Sequence, residues 1–308
     1  MRDSLRVARE TPDSGGKGLV RETLNAIRLL TRLTPLLYED TEWIGFYHSK
    51  IPAGDGDGIE AKTLAEDIIE TSIELLFTPG MGAHYSAPIG ESSLDCIWEA
   101  GVGVLHSPPS DATLDTNRTE LLRLMVTLAS ETLYQPPARS GPVKGNQWVK
   151  LITRSRHSLS ILASLINTIC SYDPSGVPYH HLLFNDTREP LVEICSQLLA
   201  ICLEKQNDES IPAKIEDDQG NKFLFLISRL HREEDFQFII KGITRLLNNP
   251  LQRFDSFAKF LKFKNLKLIF AIVAKATLVP SRTTPAHLAF VRFKHEIPSS
   301  HSQNVRSP

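Results

Sequence analysis

Apolar residues in this chain recur at intervals of three and four, the spacing of one face of an α-helix, through most of the first 250 positions. Val20, Leu24, Ile27, Leu30 and Leu33 share a face, while Arg21, Arg28 and Arg32 fall on another. A first helix near 19–37 is predicted, bent or ended by Pro35. Leu64, Ile68, Ile69, Ile73, Leu75 and Leu76 mark a second, stopped by Thr78-Pro79-Gly80. From Asp115 to Tyr134 the polar positions Glu120, Arg123, Thr127, Ser130 and Glu131 form one narrow stripe, so this helix must be covered on more than one side. The segment Ser158–Ser171 carries no charge and reads as an interior helix. Asp186-Thr187-Arg188-Glu189 can form a capping box, and Pro190 is tolerable because it lies in the first turn of the helix that continues from Leu191 to Leu203, with Ile194, Leu198, Ile201 and Cys202 inward. The run Ser228–Pro250 reads as one complete helix. Its acids Glu233, Glu234 and Asp235 sit in the first turn, Lys241 and Arg245 fall toward the end, and Asn248-Asn249-Pro250 stops it.

Loops of Pro, Gly and polar residues separate these helices at 52–58, 135–146, 172–179 and 204–221. Helices of this length, some buried on two sides, suit an all-α, irregular helical-repeat solenoid of the HEAT or armadillo kind, with no β-sheet domain. No repeat of fixed period stands out in the sequence. The expected organisation is a disordered segment over 1–18, the solenoid over 19–252, a basic helix over 253–279 and a disordered tail over 280–308.

Charge sharpens that division. Residues 1–252 hold 24 Lys and Arg against 34 Asp and Glu, whereas 253–308 hold 10 against 2. Lys259, Lys262, Lys264 and Lys267 are therefore candidates for contact with an anionic surface. Cys96, Cys170, Cys195 and Cys202 show no metal or redox spacing, and three of them sit within apolar helical pattern, which suits buried, reduced thiols. The N-terminus carries no apolar stretch of the secretory kind, and no uncharged run approaches the roughly 20 residues that a membrane span requires.

Candidate chemistry dissolves on inspection. Asp55-Gly-Asp-Gly58 with Glu66 echoes a calcium loop, but Ile59 stands where an oxygen ligand is needed and Glu60 where the turn needs glycine. Gly15-Gly-Lys-Gly18 has no Ser or Thr after its lysine, and Gly101-Val-Gly103 follows a helical segment rather than a strand, so those glycines are expected to break a helix around Trp98. His231 beside Glu233, Glu234 and Asp235 is explained by the helix dipole without a metal, and the adjacent His180 and His181 diverge by about 100° on a helix. No nucleophile elbow or zinc motif is present, so neither enzyme activity, a cofactor, nor a small-molecule substrate is expected. Trp43, Trp98 and Trp148 each border a helix beside polar residues; buried they would pack helix corners, and exposed they would anchor a partner.

Four blocks resemble the high-temperature-induced dauer-forming protein family, distantly related to dymeclin. They are Arg28 to Trp43 with Gly45-Phe46, Ser93 to Ser107, Tyr172 to Tyr179 continuing through His181 to Glu193, and Ser228 to Leu251. The resemblance spans about residues 20–252, with the family's continuation not visible beyond Gln252. It implies a non-enzymatic scaffold, cytoplasmic and peripheral on trans-Golgi membranes, that works with other trafficking proteins in sorting cargo into secretory and dense-core vesicles. Many such proteins begin Met-Gly with a nearby Ser, a myristoylation signal, whereas this chain begins Met1-Arg2, so weak membrane contact is expected of it. The alternative is a general helical-repeat module that binds protein, peptide or nucleic acid through its basic tail; under the family reading no nucleic acid is expected.

Overall fold

In a computed structural model of the chain, the described residues are 14–43, 45–50, 62–84, 97–106, 108–134, 145–173, 188–204 and 221–247. They form helices joined by turns, and no strand occurs among them beyond isolated bridges. The helices are α1 (Ser14–Glu39), α2 (Leu64–Leu76), α3 (Ala112–Ala129), α4 (Gln147–Arg154), α5 (Ser158–Ser171), α6 (Arg188–Leu203), α7 (Lys222–Ser228) and α8 (Glu233–Leu247). Short 3₁₀ turns cover Thr41–Trp43, Phe46–His48 and Ser130–Leu133.

The long helices α1, α3 and α6 lie side by side in that order, while α5 packs on α6 and α8 packs on α5. The short α4 and α7 touch each other at the junctions, and α2 sits against α3 and α4. One core runs through the stack, with Ile69, Ile73, Leu121, Met125, Ile152, Leu165, Val192, Leu198 and Phe223 almost wholly enclosed. The uncharged α5 is interior as expected: Ser158, Ser160, Ser164, Asn167 and Thr168 are all buried together with its aliphatic residues. The narrow polar stripe of α3 also holds, since eleven of its residues are buried, including Asp115, Asn117 and Arg118.

A repeat emerges from the element boundaries that the sequence alone did not disclose. The triad α3–α4–α5 is followed by a second triad α6–α7–α8, and the starts of α4 and α7 (Gln147, Lys222), like those of α5 and α8 (Ser158, Glu233), stand 75 residues apart. At that offset Asn146-Gln-Trp-Val-Lys-Leu-Ile-Thr-Arg154 superposes on Asn221-Lys-Phe-Leu-Phe-Leu-Ile-Ser-Arg229. Each asparagine does the same two jobs. Asn146 Oδ1 accepts from the amides of Trp148 and Val149, and its Nδ2 donates to the carbonyl of Ala129 at the end of α3 (2.7 Å). Asn221 Oδ1 accepts from Phe223 and Leu224, and its Nδ2 donates to the carbonyl of Cys202 near the end of α6 (2.5 Å). One side chain thus supplies an orphan carbonyl of one helix and orphan amides of the next. The aromatic two residues on, Trp148 or Phe223, is fully buried in both.

Several boundaries differ from the periodicity. The first helix starts at Ser14, inside the segment expected to be disordered, and runs through Pro35 to Glu39. An interior proline costs about 3 kcal/mol. Tyr38, one turn on, is buried and donates its hydroxyl to the carbonyl of Leu128 (2.9 Å), so packing against α3 holds the last turn in place. Glu66, weighed as a calcium ligand, instead completes a capping box: its amide donates to Thr63 Oγ1 (3.2 Å) and its carboxylate accepts from the Thr63 amide (2.7 Å). The loop residues 55–58 lie outside the described residues, as do Asp186 and Thr187 of the expected capping box. The last helix begins at Glu233 rather than Ser228, after a break at 229–232.

Trp98 is not on a helix. Residues 97–106 form an irregular segment closed by a tight turn in which Gly101 and Val104 exchange backbone hydrogen bonds (2.8 and 3.3 Å). Gly101 has φ +147, and a side chain there would meet the Phe238 ring and Asn167 Oδ1 at 2.5–2.6 Å. Asn167, buried on α5, clamps the turn: its Oδ1 accepts from Val102 N (2.8 Å), and its Nδ2 donates to the carbonyls of Glu99 (2.9 Å) and Val102 (3.1 Å).

Candidate interaction surface

The three tryptophans part company in the structure. Trp148, at the start of α4, is fully buried, and Trp98 is buried against Arg118, whose guanidinium carbon lies 4.9 Å from its ring centre. Trp43 is 46 % exposed. A chain of rings links the exposed and buried ends. Trp43 meets Phe46 (5.4 Å between centroids), Phe46 meets Tyr47 (5.3 Å), and Tyr47 meets Trp148 edge-on (5.3 Å). Tyr38 adds edge and tilted contacts to Tyr47 and Tyr134. Edge-to-face rings at such distances contribute about 0.5–1.5 kcal/mol per pair beyond area burial. The corner is stiff, and it presents Trp43, Phe46, Leu133 and Tyr134 outward.

Glu131 organises the buried side. Trp148 Nε1 donates to its Oε2 (2.5 Å), and His48 Nε2 lies 3.3 Å from the same oxygen. Burial raises the Glu131 carboxyl, but the hydrogen bonds from His48 and Trp148 outweigh it and hold the group below its ordinary value. His48 moves the other way, raised chiefly by its hydrogen bond to Glu131. Tyr38 and Tyr47 are raised by burial, so both stay neutral hydroxyls; Tyr47 shares a hydrogen bond with Thr34 (2.9 Å).

A second cluster lies inside, between α3 and α6. Arg118 donates to Asp115 Oδ1 (2.9 Å) and to the carbonyl of Gly82 (2.8 Å); Arg188 pairs with Glu99 and stands 3.8 Å from Asp115 Oδ2. Burial raises the Asp115 carboxyl against the pull of the two arginines. Two acids and two guanidiniums neutralise one another here, tying α3, α6 and the segments at 82 and 99 into one body. Losing one partner would strand a buried charge at a cost of about 3–5 kcal/mol.

Among the described residues no group of three or more His, Cys, Asp or Glu side chains converges. The acids of α8 are occupied locally, with Arg232 donating to Glu234 (2.5 Å) and Gln237 to Glu233 (2.9 Å). Cys170, Cys195 and Cys202 are free and buried, as expected; Cys96, His180, His181 and the candidate lysines Lys259, Lys262, Lys264 and Lys267 lie outside the described residues. The sequence places Glu131 only in a polar stripe and Arg188 only in a capping box, and it does not single out His48, Asn146, Asn221 or Asn167. For the two asparagines a signal existed, since each immediately precedes an apolar helical run, the N-cap position.

Beyond the scattered Leu105, Leu159 and Phe225, further exposed apolar residues lie together on α1. Leu29 (59 %), Leu33 (43 %) and Leu36 (59 %) stand on its outer face, the side away from α3.

Helices packed around one core, with no strand among the described residues, define an all-α protein, and the two offset triads are consistent with a helical-repeat arrangement. The sequence matches the High-temperature-induced dauer-formation protein family over residues 4–276, most of the chain, and the chain belongs to that family. The match passes through Gln252, where the resemblance was expected to stop, and takes in the basic segment up to residue 276. The human Protein HID1 is 42 % identical over 261 residues, covering 74 % of this chain and 33 % of the human protein; the mouse Protein HID1 is 41 % identical over the same shares. A fission-yeast relative, Ubp5-interacting protein ftp105, is 29 % identical over 67 % of this chain and 23 % of its own length. The chain thus spans about a third of the curated mammalian relatives it matches. No solved structure matches it.

Proposed function

We propose that this chain is part of a non-enzymatic scaffold or adaptor that acts peripherally at the Golgi, chiefly the trans-Golgi, in the sorting of cargo into secretory and dense-core vesicles. Family membership carries the reading. The fold supports it in kind. Stacked helices give an extended surface in which buried side chains serve rigidity and exposed ones serve contact. The described interior spends its polar groups on bracing: Asn167 on a turn, Asn146 and Asn221 on helix ends, Asp115 and Arg118 on each other. No described helix is long and apolar enough to cross a membrane, which suits peripheral attachment. Other trafficking proteins are the expected partners; a fission-yeast relative carries a name that records an interaction with Ubp5, and protein binding of that kind suits the reading. No cofactor or small-molecule substrate enters this reading.

The test is cellular. A tagged family-length protein should concentrate at the trans-Golgi, and its depletion should misroute secretory cargo; uniform distribution with normal sorting would refute the proposal. Binding assays separate it from a nucleic-acid carrier: tight RNA binding that survives removal of residues 253–308 would favour the carrier, whereas salt-sensitive binding confined to that segment would be simple charge attraction.

A further inference from the structure

The outer face of α1 obeys a rule that its inner face does not need. Glu22, Ala26, Leu29, Leu33, Leu36 and Asp40 are all exposed, and they follow one another at alternating steps of four and three. That is the seam spacing of a helix paired with another helix. Asn25, Arg32 and Glu39, each one position before a seam residue, are exposed beside it. The inner residues Thr23, Leu24, Ile27, Thr34 and Tyr38 are buried, so the exposed seam is additional to the surface that α1 already buries against α3. A helix at the margin of a stack usually turns a polar face outward. This one exposes three leucines, bounded by Glu22 and Asp40.

We propose that this seam is where a second copy of the chain docks, through antiparallel pairing of α1 with α1 about a two-fold axis. The seam is complementary to itself. When Leu33 of one copy faces Leu36 of the other, symmetry makes the reciprocal pair, and the flanking positions then bring Arg32 of each copy opposite Glu39 of its partner copy. Two leucine layers and two opposite-charge pairs follow from one register, as an isologous interface requires, and the same register sets each Leu29 opposite Asp40 of the other copy at the two ends of the pairing. Neither Arg32 nor Glu39 is engaged in an ion pair with another described residue. Pro35 falls beside the paired layers rather than in them, so its ring does not separate the helices. Mixed charge argues against a lipid surface as the occupant. A membrane-lying helix is flanked by Lys and Arg, whereas here Arg21 and Arg32 share the exposed side with Glu22, Glu39 and Asp40.

Sedimentation velocity on the full 308-residue chain between about 1 and 100 μM, the range in which a modest interface is visible, tests the pairing. A concentration-dependent dimer is expected. Arg32→Glu or Glu39→Arg alone, each of which turns both cross-pairs repulsive, should weaken dimerisation by roughly tenfold or more. The combined exchange should restore it, an outcome that no unfolding artefact imitates. Leu33→Asp should abolish the dimer at unchanged helicity. A wild-type monomer throughout the range, indifference to single charge reversal, or failure of the double exchange to restore association would overturn the proposal. Pelleting of a monomeric chain with anionic vesicles that depends on Leu33 would likewise overturn it and assign the face to lipid. None of these results bears on the Golgi reading, which stands or falls on localisation.

Discussion

Gly242 lies in α8 where that helix crosses α5, and replacing it by alanine sets two effects of known size against each other. Helix propensity alone favours the change: alanine is better than glycine inside a helix by about 1 kcal/mol. Space opposes it, because a Cβ at 242 would stand 2.5 Å from Cys170 Cα and Cβ and 2.6 Å from the Cys170 carbonyl oxygen. Most of what it meets is backbone of an interior helix, which cannot rotate away. Arg245 tightens the same crossing by donating to that carbonyl (2.7 Å). Overpacking of this kind costs about 1–3 kcal/mol and sometimes more. Contacts this short with backbone belong at the upper end of that range, about 2–3 kcal/mol, so the net expectation is destabilisation by roughly 1–2 kcal/mol, which for a domain of this size lowers Tm by about 2–8 °C. Urea unfolding followed by far-ultraviolet dichroism reads the sign, and hydrogen exchange should show the loss concentrated in residues 233–247. Gly18→Ala, in α1 with nothing within 4 Å of the added carbon, is the control and should be neutral or stabilising. If Gly242→Ala proved as stable as wild type or more so, α8 would not cross α5 at contact distance and the packing of the second triad would be wrong.

The equivalence of the two triads predicts that Asn146→Ala and Asn221→Ala each cost about 1–3 kcal/mol, since each removes a cap and strands a carbonyl; chemical denaturation giving a large loss for one and none for the other would break the equivalence. The His48–Glu131 pair gives a pH window. The raised His48 contributes stability fully below its ordinary value near 6.5 that is lost as pH rises through its folded value, and the lowered Glu131 contributes stability above its ordinary value near 4.5 that is lost as pH falls through its folded value. The pair therefore helps most between about pH 4.5 and 6.5, and His48→Gln should flatten the upper limb of a stability–pH profile while leaving the fold intact. Burial pushes the Cys170 thiol up to about 12 and raises Cys195 and Cys202 as well, so these three should resist thiol reagents at pH 8 until urea opens the core; prompt labelling in native buffer, mapped by mass spectrometry, would contradict their placement. Trp148→Ala should cost about 3–5 kcal/mol as a cavity that also takes one hydrogen bond from Glu131, whereas Trp43→Ala should cost about 0.5–1.5 kcal/mol for one lost ring pair, a contrast readable by thermal melts.

Much of the fold was legible because helical periodicity is a local property of the chain. The uncharged α5 has the ends that its composition drew, Ser158 and Ser171, and the acids at Glu233 to Asp235 do open the last helix. Where neighbours intervene, the reading faltered. Pro35 looks like an end until Tyr38 is seen bonded to α3, and Trp98 looks helical until Asn167 is found gripping the turn beside it. The repeat escaped for a related reason: only the short stretch around Asn146 and Asn221 keeps its residue types.

For the candidate surface the division is sharper. Tryptophans could be named from the sequence, but a ring bordering a helix is equally suited to filling a corner or meeting a partner, and only packing buries Trp148 and Trp98 and leaves Trp43 half exposed. Arg188 likewise reads as part of a helix start, yet it reaches residues far away in the chain at Glu99 and Asp115.

Composition and periodicity by themselves determined that this is a helical protein with an apolar core, because the hydrophobic face of a helix is written at fixed spacing along its own residues. Tertiary structure alone decided which of several apolar stripes remains uncovered. Every helix here carries an apolar face, and what distinguishes Leu29, Leu33 and Leu36 from Leu24 and Ile27 is the position of α3 on one side of α1 and of solvent on the other.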